Sequence, residues 1–269
     1  MGVAEIMNLP FRHRAAIAAI LVLVSSSAGM SGQDRIGAVP EERASLSFSP
    51  ASAPTGNEII TQLILHNQLR DAQLEHYSVV RTYEVRNHDG KMSAQEIVRM
   101  DYQAPGNKTF LKTSEKGSGN VRRMVFDRLM ESESETAAGR EHHDSALTPA
   151  NYTFTRIGEE DLGPYHCYVM QVTAKRKDKY LFDGSVWIDA QDFAVVKIAG
   201  HPAKKPSFWI NRADFVRQYQ KIGEFWVPYR DETRVHVRLI GEKLFTIDHE
   251  EYLINGSEYL SSDSRSNMK

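Results

Sequence analysis

The sequence predicts an α+β protein built on one large curved antiparallel sheet: an open half-barrel of about ten strands, covered on its concave face by two or three helices. Three observations predict it. Between Asn151 and Tyr252, short apolar–polar alternations break at Gly158, Gly184, Gly200, Gly223 and Gly241, the rhythm of a meander with one buried and one wet face. Two stretches, near Asn57–Gln73 and Val121–Gly139, change to a period of about 3.6. A sheet of this size does not stay flat or leave its apolar face bare, so the helices belong on the face it curls around.

The order of elements begins with an address. Arg12, His13 and Arg14 precede the apolar run Ala15–Val24, and Ser26 and Ala28 are the small residues that suit cleavage after Ala28. That run is shorter than the roughly 20 apolar residues a membrane helix needs, so residues 1–28 read as a signal peptide. The expected location is the periplasm, in soluble form, because no cysteine follows the apolar run to carry a lipid. Residues 29–56, rich in Ser, Ala and Pro, read as a disordered linker. Losing residues 1–28 removes two arginines and one glutamate, taking the formal charge from −2 to −3. This near-neutral balance excludes a nucleic-acid partner, which would require a clustered basic face. The single cysteine, Cys167, cannot form an internal disulfide and reads as a small buried strand residue.

One folded domain is expected over residues 57–255, followed by a flexible tail over 256–269. Ile59, Ile60, Leu63, Ile64 and Leu65 form a helical stripe from Asn57 to Gln73, capped by Thr55 or Asn57. Tyr77, Val79, Tyr83 and Val85 share one strand face, and Val98, Met100 and Tyr102 repeat the pattern in the next strand. Ala104-Pro105-Gly106-Asn107 reads as a turn with proline before a residue of positive φ, leading to a third strand over Lys108–Thr113. Gly117-Ser118-Gly119 reads as a flexible connector. Val121, Met124, Val125 and Leu129 then line a helix that ends in the acidic run Glu131–Glu135, expected in solvent. About seven further strands centre near Phe154, Val169, Trp187, Val196, Phe215, Val227–Val237 and Ile247.

Catalytic patterns are lacking. There is no Gly-x-Ser-x-Gly elbow, no Gly-rich phosphate loop opening a helix, and no paired carboxylates set for acid–base work. Asp189, Asp192 and Asp231 read as turn residues. His142-His143-Asp144 offers two imidazoles and a carboxylate, but adjacent histidines point apart, so a solvated loop is the simpler reading. The chain is not expected to be an enzyme or to hold a metal or cofactor. What remains is aromatic: Trp187, Trp209 and Trp226 fall on strands among Phe193, Phe208, Phe215, Phe225 and Phe245. A sheet curved around such rings encloses either a filled core or a concavity suited to acyl chains. Strand parity gives Val79, Tyr83, Val98, Met100, Tyr102, Phe110, Trp187, Phe208 and Phe225 as candidate ligand-binding residues.

The hairpin Val186-Trp187-Ile188-Asp189, a turn, then Phe193-Ala194-Val195-Val196-Lys197-Ile198 resembles the LolA-like carriers of outer-membrane lipoproteins. Phe225-Trp226-Val227-Pro228 and Pro206-Ser207-Phe208-Trp209 are similar to segments of an exported bacterial branch of that superfamily. The resemblance, spanning about Asn57–Tyr252, implies an open half-barrel lidded by helices, sheltering lipoprotein acyl chains or other lipid as a monomer. In that family an arginine before the turn proline helps hold the lid, and here the corresponding position is Ala104. Arg81 is the other candidate for that role, beside a reading as an arginine snorkelling at the sheet rim. The alternative function is a periplasmic sensor module docking a membrane-anchored regulator, with an envelope membrane protein as partner and the acidic helix as docking face.

Overall fold

The computed structural model describes residues 53–137, 146–205, 210–238 and 241–259. The expected signal peptide, most of the expected linker, His142–Asp144, Phe208 and Trp209 lie outside these residues. The first element is α1 (Gly56–Gln73). Thr55 accepts from the Glu58 amide while the Glu58 carboxylate accepts from the Thr55 amide, a capping box that satisfies amides at the open helix start. Ile59, Ile60 and Leu63 are buried, whereas Leu65 is 46% exposed and does not belong to the stripe.

Three strands follow, β1 (His76–Asn87), β2 (Met92–Gln103) and β3 (Asn107–Gly117). The second helix, α2, is one rod in three parts: α-helical at Gly119–Val121, a π turn at Arg122–Phe126, and α-helical again at Asp127–Ala137. Seven long strands complete the meander: β4 (Tyr152–Leu162), β5 (Tyr165–Ala174), β6 (Phe182–Asp189), β7 (Val195–Pro202), β8 (Ile210–Ile222), β9 (Phe225–Val237) and β10 (Gly241–Ile254). A short β11 (Ser257–Tyr259) pairs with β10, so strand structure runs into the stretch expected to be a tail.

The sheet order is β3-β2-β1-β10-β9-β8-β7-β6-β5-β4, all neighbours antiparallel, with β3 and β4 as unjoined ends. The expected open antiparallel sheet with two helices is therefore what forms. Its one non-sequential junction sets β1 against β10, with Arg81 opposite His249 and Tyr83 opposite Ile247. Alternation is sharp: in β1 the odd residues Tyr77 to Val85 are buried and their neighbours are not. Gly184 and Gly200 face each other across β6 and β7, where a Cβ on Gly184 would sit 2.1 Å from the Ala199 carbonyl oxygen. No side chain fits there.

Two turns differ from the sequence reading. The Ala104–Pro105 peptide is cis, and neither Gly106 nor Asn107 has a positive φ. Ser118 is not merely a connector: its side chain accepts from the Val121 amide and caps α2. Gly117 before it has φ +72, and a Cβ there would meet the Ser93 carbonyl oxygen at 2.4 Å, so glycine is required at this corner.

Candidate functional site

The concave face is covered by helix side chains over part of its area and by strand side chains alone over the rest. α1 packs Ile59, Ile60 and Leu63 on Met170, Val172, Val186, Ile188 and Phe215. Its far end is tied by Arg70, whose guanidinium donates to the Asp192 and Phe193 carbonyl oxygens at 3.1 and 3.3 Å in the β6–β7 turn. α2 packs Val121, Phe126, Leu129 and Met130 on Tyr83, Val98, Phe245 and Ile247. A third apolar cluster of Tyr77, Val79, Met100, Tyr102, Ile222, Val227, Tyr252 and Ile254 is built from strands alone and touched by Leu74, Phe110 and Phe225. Tyr77 stacks on Tyr102 at 5.1 Å between ring centroids.

Of the residues singled out from sequence, Val79, Met100, Tyr102, Phe110 and Phe225 meet in the strand-built cluster, and Tyr83 and Val98 lie under α2. Trp187 does not join them. Val186 and Ile188 point inward, so Trp187 projects from the other face, where its Nε1 donates to Glu160 at 2.7 Å and Lys197 lies over its ring. Trp226 likewise donates to Asp192 at 2.9 Å at the turn that receives Arg70. Asp189 does act as a turn residue, accepting from the Gln191 and Asp192 amides. Cys167 is fully buried, and burial pushes its thiol up to about 12, leaving it inert.

A band of charge crosses this apolar interior, and sequence reasoning missed it. Arg81 Nη1 donates to Glu133 Oε2 at 2.9 Å, and Lys108 Nζ donates to Glu133 Oε1 at 2.8 Å. Arg81 is thus neither at the rim nor snorkelling: its side chain is 5% exposed and Glu133 is 2% exposed. The acidic run of α2 is not wholly in solvent either, since Glu133 turns under the helix while Glu131 stays outside. Beyond Arg81, the buried His249 Nε2 pairs with Asp231 Oδ2 at 3.0 Å, and Arg217 Nε donates to Asp231 Oδ1 at 2.6 Å. Asp231 is a mid-strand residue, not a turn residue. Burial alone would raise the Glu133 carboxyl, but Arg81 and Lys108 outweigh it and hold the group well below the usual carboxylate range. The only sequence signal for the band was the cross-strand parity of charges among apolar neighbours: Arg81 between Val79 and Tyr83, and His249 after Ile247.

At the start of α2 a cleft of about 430 Å³ is lined by Glu96, Lys112, Glu115, Arg122 and Asp127. Glu96 is fully buried, 3.5 Å from Lys112 Nζ and 3.4 Å from Arg122 Nε, and burial raises its carboxyl despite Lys112. Among the described residues no group of three or more His, Cys, Asp or Glu is placed to hold a metal ion. No described helix is long and apolar enough to cross a membrane.

No protein-family model matches the sequence, and no curated relative matches it. By structure the chain is similar to a domain from Vibrio parahaemolyticus assigned to outer membrane lipoprotein sorting, at 11% identity and a TM-score of 0.43 over 76% of this chain and 96% of that one. It is similar also to the LolA superfamily protein NE2245 from Nitrosomonas europaea, at 11% identity and a TM-score of 0.36 over 74% and 93% of the two chains. A third similar structure is the Pseudomonas aeruginosa MucA/MucB complex, at 10% identity and a TM-score of 0.27 over 76% and 96%.

Proposed function

We propose that this protein is an exported, non-catalytic binding or carrier protein of the periplasm that shelters an acyl chain or similar apolar ligand between the concave sheet and its helices. One observation carries the reading. The cluster around Tyr77, Val79, Met100, Tyr102 and Tyr252 is built by strands, with no helix side chain packed into it apart from Leu74 at the end of α1. Core rings of an ordinary sheet-on-helix domain are covered by helix residues, as those under α1 and α2 are. Here the partly buried Phe110 and Phe225 pack against the cluster, and a guest would enter by displacing them. Each CH₂ of an acyl chain laid there gains about 0.8 kcal/mol, so a chain of ordinary length needs few polar contacts to bind.

Displacement of a fluorescent fatty-acid probe from the purified mature chain tests the reading. Saturable binding is expected, weakened at least tenfold in Met100→Asp, which would set an uncompensated charge in the cluster. Native mass spectrometry of protein taken from its own cell envelope should show a retained lipid. Absence of both would overturn the proposal and leave the regulator-docking alternative.

A further inference from the structure

The charged band is unbalanced. Lys108, Arg81 and Arg217 supply three cations, and Glu133 and Asp231 supply two carboxylates, every one of these side chains being 6% exposed or less. His249 adds no negative charge, and it sits where a proton would meet two guanidiniums. The imbalance is greater in the sheet alone, because Glu133 belongs to α2: without it, three cations face only Asp231. Three buried polar atoms in this region, Arg81 Nε, His249 Nδ1 and Thr233 Oγ1, have no hydrogen-bond partner. Thr233 lies one step along the inner face of β9 from Asp231, and His249 lies directly across from Arg81. Arg81 Nε can only donate. Surplus positive charge and an unused guanidinium donor in a dry interior call for an acceptor-only anion.

We propose that this band receives the carboxylate head of a fatty-acid-like ligand, and that Glu133 occupies its place when α2 is closed. The inference rests on the apolar-ligand reading and adds the head group to it. Glu133 shows the geometry required: two oxygens, one taken by Arg81 at 2.9 Å and the other by Lys108 at 2.8 Å. The tail then runs onto Val79, Tyr77 and Met100, which follow Arg81 along the same inner face. Lifting α2 withdraws Glu133, bares two cations and admits the ligand's carboxylate. Closing α2 with its own carboxylate expels the ligand again, so one side chain couples lid position to occupancy.

The test uses the mature chain with dodecanoate, dodecanol and acetate as competitors of the probe at about pH 8. Dodecanoate should bind at least tenfold more tightly than dodecanol, and acetate should not compete. Glu133→Gln should tighten dodecanoate several-fold while leaving dodecanol unchanged. The triple variant Arg81→Met/Lys108→Met/Glu133→Met exchanges the whole buried triad for apolar side chains, a change proteins commonly tolerate. With folding checked by circular dichroism, it should keep dodecanol and lose most of the preference for the acid. Equal binding of acid and alcohol by the wild type would overturn the head-group inference and leave the carrier reading standing. Acetate competing as well as dodecanoate would overturn it in favour of a small-anion site. Binding of neither long-chain compound would overturn both readings together.

Discussion

His249 and Glu133 are the residues whose protonation the fold constrains most usefully. Burial lowers His249, and Arg81 and Arg217 add to this against the pull of Asp231. Its folded value therefore lies below its ordinary 6.5, so as pH falls through that value the unfolded chain takes up a proton the folded chain refuses. Stability contributed by His249 is full above that value and declines below it. Glu133 and Asp231, both depressed, contribute above their ordinary values of 4.5 and 3.8 and add a second loss below them. Urea unfolding at about pH 8, 6 and 5 should show the first decline in the wild type and a shallower one in His249→Gln. Parallel profiles would count against it. The exposed His166, raised by its bond to Asp161, acts in the opposite sense but equally in both proteins. Arg81→Ala should cost about 3 kcal/mol, because it removes one of the two cations that hold the buried Glu133 carboxylate. Trp187→Phe, on the outer face, should leave probe binding within twofold of wild type.

Helix α1 is specified locally and docked remotely. Thr55→Ala should remove about 1 kcal/mol by uncovering the first-turn amides, measurable as a shift of the urea midpoint at constant slope. Gly184→Ala should cost more, since its methyl group would collide with the backbone of β7. Such local features were legible in the sequence: the capping threonine, the alternation of β1 and β2, the glycine breaks and the period change at α2. What escaped was any feature requiring knowledge of which strands adjoin. Arg81 and His249 lie 168 positions apart, and nothing local announces that β10 returns to pair with β1. The same ignorance placed Trp187 inside, because parity within a hairpin is readable while the face that turns inward is fixed by distant partners. Glu133 was misread for a related reason, as a charged run predicts a wet helix end unless cations await on the opposing sheet.

For the whole molecule, the sheet is one continuous hydrogen-bonded ladder, and the helices are joined to it through side chains. α2 is held over the sheet by one apolar stripe, by Glu133, by the Lys112–Asp127 and Arg122–Glu96 ion pairs and by Ser134 on the Lys108 carbonyl, and α1 by its stripe, Arg70 and Asn255 on the Gln73 carbonyl. Ligand-linked motion is accordingly expected in α2. Hydrogen exchange on the wild type and on Glu133→Gln should show faster exchange across Asp127–Ala137 in the variant, with β1 and β10 unchanged. Export belongs to this scale too. N-terminal sequencing of protein from the periplasmic fraction should begin near Gly29, whereas an intact Met1 in the membrane pellet would contradict the export reading.

The buried band has a further effect on how the chain finds its shape. β1, β10, β9 and β8 each place one polar side chain in it, at Arg81, His249, Asp231 and Arg217. Sliding any of these strands by one residue would turn that side chain toward water and bring a wet-face neighbour such as Thr82 or Glu232 inside. A slip of two residues keeps the apolar side chains inside, and apolar residues alone penalise it weakly, because Val, Tyr and Phe substitute for one another at modest cost. Charges that must meet do not. The band therefore works as an index mark for strand alignment, above all at the β1–β10 junction, where no tight turn sets the pairing. Exchanging it wholesale for aliphatic residues should keep or raise the equilibrium stability while multiplying the amide resonances of β1 and β10, as misaligned sheets begin to compete with the native one.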